Sequence, residues 1–114
     1  MPEEAKIIDV SEMGSEAGFS CPVYVTSEVW YKCVAWTDSD NEKQDYQEQD
    51  DRLWDVLFVP ATRMKMEGFN PATGLDYSIY CLLRDGMSTD AVRVQLKIVF
   101  YNNGSLLIIF VGVF

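Results

Sequence analysis

Apolar and polar positions change rhythm along this chain, and the clearest rhythm lies in its last forty residues. Tyr77, Ile79, Cys81 and Leu83 alternate with Asp76, Ser78, Tyr80, Leu82 and Arg84. Val92, Val94, Leu96 and Ile98 alternate with Arg93, Gln95, Lys97 and Val99. A period of two is that of a strand with one face buried. Asp85-Gly86 opens the first connection, and Asn102-Asn103-Gly104 marks a tight hairpin, because Asn-Gly accepts positive φ. Leu106 to Phe114 is apolar on both faces, which predicts a central or covered strand.

The first sixty residues follow a different pattern. Ala5 to Val10 is a short apolar run. Ser11 then suits an N-cap, Glu12 a first turn and Gly18 a C-terminal cap, which predicts a short helix or turn over 11–17 interrupted at Gly14. Cys21 to Val25 reads as an extended entry. Thr26 or Ser27 caps a second helix, where Trp30, Cys33 and Val34 form an apolar stripe and which ends near Trp36 or Thr37. Leu53, Val56 and Leu57, continued by Ala61 and Met64, suit a helix over 53–66. A strand is the alternative there, because Pro60 removes a backbone donor. Gly68, Asn70, Pro71 and Gly74 mark a loop. The fold class expected is α+β: N-terminal helices packed on a C-terminal three-stranded antiparallel β-meander, within a single domain spanning 1–114.

Charge alters this picture. Residues 1–51 hold 13 Asp and Glu against 3 Lys, and residues 52–114 hold 5 acids against 6 bases, giving the net −9 of the chain. Seven of the acids fall in one segment: Asp38, Asp40, Glu42, Asp45, Glu48, Asp50 and Asp51, with only Lys43 among them. The segment 38–51 lacks an apolar period and reads as a loop or a solvated helix. Helical spacing would put Asp38, Glu42 and Asp45 on one face, and extended spacing Asp38, Asp40 and Glu42. Either spaces carboxylates about 5–7 Å apart, comparable to phosphates along a nucleic-acid strand. Such crowding costs stability through self-repulsion and points to a basic partner. The common alternative is a solvated run that keeps the protein in solution.

The same charge excludes other partners. A chain of pI 4.2 repels phosphates, so nucleic acid is not expected as a direct ligand, nor is an anionic membrane. The N-terminus has no basic stretch before an apolar run, and no apolar segment reaches the roughly 18 residues of a membrane span. A cytoplasmic protein is expected. With 48% hydrophobic and 13% aromatic residues the chain is too apolar for a disordered acidic tail.

Catalytic chemistry has little to stand on. Histidine is absent, which removes the commonest general base and metal ligand. No phosphate-cradling glycine spacing occurs among the seven glycines. Cys21, Cys33 and Cys81 form no CxxC pair and sit in apolar contexts, which suits buried thiols. Asp38-Ser39-Asp40-Asn41-Glu42 imitates the start of a calcium loop, but Lys43 stands where glycine is required and Gln49 where a bidentate Glu is required. No catalytic residue, metal or cofactor is expected, and the protein is read as not an enzyme. Trp30 and Trp54 suit a core, whereas Trp36, beside the acidic run, suits either a core or an interface anchor.

The pieces Ile7-Ile8-Asp9-Val10-Ser11, Glu16-Ala17-Gly18-Phe19, Pro22-Val23-Tyr24-Val25-Thr26, Val29-Trp30 and Arg52-Leu53-Trp54-Asp55-Val56-Leu57 follow in an order that resembles a small uncharacterised family borne by plasmids and phages. The resemblance implies a mobile-element setting and no particular activity. Small acidic proteins of that setting resemble anti-CRISPR and anti-restriction inhibitors, many of which mimic DNA. The function expected is therefore a non-enzymatic inhibitor that sets the carboxylates of 38–51 and Trp36, with Glu12, Glu16 and Glu28, against the basic nucleic-acid-binding surface of a host defence complex. The alternative is a plasmid or phage structural module that forms a homo-oligomer through its sheet. Of the two states, a monomer is favoured.

Overall fold

A computed structural model describes residues 7–68 and 70–113. Its strands are β1 (Ile7–Asp9), β2 (Val23–Thr26), β3 (Leu75–Cys81), β4 (Val92–Phe100) and β5 (Leu106–Val113). Its helices are α1 (Ser11–Ala17), α2 (Ser27–Val29), which continues as a π-helical turn over Trp30–Val34, α3 (Asp38–Lys43) and α4 (Gln49–Glu67).

The strands form one sheet in the order β1-β2-β5-β4-β3. This corrects the expected three-stranded antiparallel meander. The meander is there, with Asn102–Gly104 in the β4–β5 connection, but it makes up only three-fifths of the sheet. β2 adds to β5 in parallel, pairing Val23 with Leu106 and Val25 with Ile108, and β1 closes the edge antiparallel to β2. The two added strands have three and four residues, too few for a period of two to stand out. Their partner is remote in sequence, so no local turn signal announces the pairing. β5 is central, as its two apolar faces predict.

Alternation places the core. Val23, Val25, Tyr77, Ile79, Val94, Leu96, Ile98, Leu106 and Ile108 project from one sheet face and are buried. Val10, Ala17, Val29, Cys33, Leu53, Val56, Leu57 and Ala61 of the helical half complete the same cluster. On the opposite face Tyr24, Val99, Leu107 and Ile109 are only half-covered. Leu96 pairs with Phe110 and Gln95 with Gly112, so Val111 has no residue opposite and makes a bulge that bends the end of β5.

Local signals explain the helices, with one correction. Ser11 is the first helical residue rather than the cap. Val10 occupies the cap position, the Asp9 carboxylate accepts from the Ser11 N–H, and the Ser11 hydroxyl accepts from the Val23 N–H at 2.9 Å. Gly14 does not interrupt α1. It lies buried against Val23, where a larger residue would press on the Cγ2 methyl. Thr26 caps α2 by accepting from Val29, and Gly18 ends α1 at φ 124°. α4 settles 53–66 as helix and carries Pro60 inside it. The carbonyl four residues earlier, on Val56, therefore has no helical N–H to bond, and the buried Tyr77 hydroxyl donates to it at 2.8 Å.

Candidate functional site

The acidic segment is built on the outside of this frame. Thr37 and Asp40 form a capping box at the start of α3: Thr37 Oγ1 accepts from the Asp40 N–H, and the Asp40 carboxylate accepts from the Thr37 N–H at 2.8 Å. Asp38 and Asp40 sit in the first turn and Lys43 in the last, the arrangement favoured by the helix dipole. α3 ends at Gln44, whose amide ties it to the loop after β3. Nε2 donates to the carbonyls of Leu83 and Ser88, and Oε1 accepts from the Gly86 N–H. Arg84 adds an ion pair to Asp40 at 2.7 Å, with both side chains largely covered.

The segment is also pinned from below. Asn41 Oδ1 accepts from the Trp36 indole N–H at 2.7 Å and from the Gln47 N–H at 2.8 Å. Trp36 is buried, and its ring lies against the Arg52 guanidinium, 4.4 Å from centroid to Cζ. It thus sits under the acidic segment rather than on its surface. Trp30 and Trp54 are half-buried and pack against the core.

The seven acids divide in two. Asp40 is turned to Arg84 and Thr37. Burial raises its pKa, but the hydrogen bonds from the Thr37 backbone, Arg84 and the Thr37 hydroxyl outweigh it and leave the group below its ordinary value. Asp38, Glu42, Asp45, Glu48, Asp50 and Asp51 are exposed. Three of these converge on Tyr46, itself 70% exposed. Its hydroxyl donates to Glu48 at 2.8 Å, and its pKa is raised first by that bond, then by the charge of Glu48, with further contributions from Asp38 and Asp51. The first turn of α3, the bend after the helix and the start of α4 therefore share one negative field.

That field extends towards the N-terminal strand. Asp9, Glu12, Glu16 and Asp50 line a cleft of about 400 Å³ floored by Val10, Met13, Trp30 and Leu53. Glu28 is elsewhere and pairs with Lys32 at 2.8 Å. Among the described residues no three Asp, Glu or Cys side chains are grouped as a metal ion would need. The acids form a surface and not a chelate.

One residue at the root of this region carries more than its place in the sequence suggests. Arg52 is buried. It donates from Nε to Val34 O at 3.1 Å, from Nη1 to Leu82 O at 3.0 Å and from Nη2 to Lys32 O at 3.2 Å. Lys32 and Val34 belong to the last turn of the π-helical segment, where carbonyls lack helical partners. Arg52 closes that helix end and joins it to the end of β3. The signal for it was present in the chain: Arg52 lies on the same helical stripe as Leu53, Val56, Leu57, Pro60 and Ala61.

No family model, curated protein or solved structure matches this chain.

Proposed function

We propose that this protein is a non-enzymatic binding protein that presents the carboxylates of 38–51 to a basic, nucleic-acid-binding surface of a partner, in the manner of inhibitors that mimic DNA. The carrying observation is the field at Tyr46. Asp38 in the first turn of α3, and Glu48 and Asp51 at the start of α4, act together on one exposed hydroxyl. Gln44, Asn41 and the Asp40–Arg84 pair hold the segment that bears them. A carboxylate array fixed before encounter loses less side-chain freedom on binding and steers a cationic partner towards it. Asp9, Glu12, Glu16 and Asp50 widen the array. Asp40, turned inward, serves the scaffold.

A lysate of the native host provides the test. The protein, and a variant with Asp38, Glu42, Asp45, Glu48, Asp50 and Asp51 changed to their amides, are used as bait at low and moderate salt. The expected result is capture of a nucleic-acid-binding protein by the first bait only, with release on adding duplex DNA. Capture that survives neutralisation, or that DNA does not compete, overturns the proposal.

A second reading, self-association through the sheet, is favoured by the half-covered Tyr24, Val99, Leu107 and Ile109 on the face away from the helices. A monomeric mass by analytical ultracentrifugation at high concentration would sink it.

Among the described residues no helix is long and apolar enough to cross a membrane.

A further inference from the structure

Cys33 and Cys81 meet beneath the acidic segment. Cys33 belongs to the π-helical turn, and Cys81 is the last residue of β3. Both are buried, and both line a cavity of about 230 Å³ bounded also by Gln47, Asp55, Tyr80 and Ala91. A water molecule takes about 30 Å³ of liquid, so a hydroperoxide fits. Arg52 enters the same cavity with Nη2 3.9 Å from Cys81 Sγ.

The arginine lacks a full counter-charge. Among the described residues it makes no ion pair with a carboxylate, and its other contacts are neutral carbonyls and the Trp36 ring. A buried cation is costly unless an anion compensates it. Asp40 and Asp55 act on it only from beyond ion-pair distance, and the ionisable group in contact is the Cys81 thiol, whose Sγ also lies 3.7 Å from the Lys32 and Leu82 carbonyls. Cys33 supplies the other requirement. Cys33 lines the same cavity wall as Cys81, and the two thiols act on each other: Cys33 is pushed up by Cys81 and by burial, while Cys33 and the Arg52 charge draw Cys81 down against the cost of burial.

We propose that Cys81, held beside Arg52, is a redox-active thiolate and that Cys33 is its resolving thiol, so that a hydroperoxide converts the pair into a disulfide. The Cys81 thiolate attacks the terminal oxygen of the peroxide. The O–O bond breaks, the leaving oxygen takes a proton and departs as water or alcohol, and Cys81 becomes a sulfenic acid. Cys33 then attacks the Cys81 sulfur. Its proton leaves with the sulfenic oxygen as water, and the S–S bond forms. Two thiols are oxidised and one peroxide is reduced. Arg52 loses its counter-charge while still stacked on Trp36, which holds Asn41 of α3. The redox state of the pair is thereby linked to the underside of the acidic segment. Cys21 is the internal control, being half-buried, with its thiol raised by that burial.

The full chain, reduced and native, is treated with hydrogen peroxide and mapped by peptide mass spectrometry. The expected product has lost two hydrogens and links the peptides of Cys33 and Cys81. In Cys33→Ser the reaction stops at a Cys81 sulfenic acid that dimedone traps. Iodoacetamide labels Cys81 in the native protein at pH 7 about 10-fold faster than Cys21, with a rate midpoint at lower pH. The mapping and the alkylation need no variant, so a misfolded Cys33→Ser leaves the test intact. Oxidation that begins at Cys21, or a Cys81 that reacts only in denaturing urea, overturns the proposal.

Discussion

The Tyr77 hydroxyl donates at 2.8 Å to the one helical carbonyl, on Val56, that Pro60 leaves without its N–H. A strand residue thus completes the hydrogen bonding of a helix it packs against. Because Tyr77 is buried, no water replaces it when the hydroxyl is removed. Tyr77→Phe is expected to cost about 1–3 kcal/mol, the cost of a buried carbonyl left unbonded. Pro60→Ala restores an N–H, so in that background the cost of Tyr77→Phe should shrink. Urea unfolding of the four proteins of this cycle measures the coupling, and strict additivity would count against the assignment.

Arg52→Met should be among the most damaging substitutions in the chain. It leaves the carbonyls of Lys32, Val34 and Leu82 without their donor, for a loss of about 3 kcal/mol or more. Arg52→Lys should recover little, since an ammonium cannot span three carbonyls in a plane. Unfolding midpoints within about 1 kcal/mol of the wild type would show that the site relaxes around the loss.

Acid should weaken the loop that anchors the acidic segment. Asp85 is drawn down to about 2 by hydrogen bonds from the Ser88 hydroxyl and the backbone N–H groups of Ser88 and Met87, and Asp40 is also below its ordinary value. Both are depressed in the folded state. Their contribution is therefore present above the unfolded carboxylate value of about 3.9 and is lost as pH falls towards about 2. Stability measured by urea unfolding should fall across that window. Asp85→Asn should be weaker at neutral pH and show a shallower fall. An unchanged slope in the variant would argue against the assignment.

The exposed acids should be separable by their effect on stability. Asp50 and Asp51 lie in the first turn of α4, where negative charge opposes the positive end of the helix dipole. Asp50→Asn and Asp51→Asn are each expected to cost about 0.3–1 kcal/mol at low salt. Asp45→Asn lies outside that turn and should be neutral or slightly stabilising through reduced repulsion. Thermal unfolding at two salt concentrations distinguishes the groups.

Gly74→Ala and Gly104→Ala place the same methyl at similar positive φ, 75° and 88°. Beside Gly104 there is open space, whereas beside Gly74 the added carbon meets the Ile98 backbone carbonyl. Gly104→Ala should cost about 1–2 kcal/mol from backbone strain alone. Gly74→Ala should cost at least about 2 kcal/mol more, because the start of β3 must move off β4. Equal costs would mean that the strand edge yields freely.

Local signals in the chain were legible, and distant ones were not. The alternation of 76–84 and of 92–99, the Asn-Gly turn, the Thr26 cap and the stripe from Leu53 to Ala61 each depend on neighbours within a few residues, and each produced its element, the first only as far as Cys81, after which Leu82 turns into the core. β1 and β2 are too short to announce themselves, and the parallel pairing of β2 with β5 has no local mark. The acidic segment was visible as charge. What could not be read was that Asp40 turns to Arg84, 44 residues away, or that Trp36 faces inward on Arg52. Arg52 was legible only as a cation on an apolar stripe, and Pro60 as a breaker, because the partners that make each tolerable come from other elements.

The parallel pairing of Val23 with Leu106 has a consequence for how the chain reaches this state. β5 is central and is flanked by β2 on one side and β4 on the other, yet it is the last strand in sequence order. A nucleus built from the β3–β4–β5 hairpins is local and closes small loops. Seating β2 closes a loop of roughly eighty residues, which costs more entropy before any contact rewards it. Folding should therefore be biphasic in origin if not in appearance: a fast meander, then a slow docking of the N-terminal strands and their helices. Until that docking, one edge of β5 presents bare backbone amides, and that interval is when the chain is most exposed to pairing with a second copy of itself.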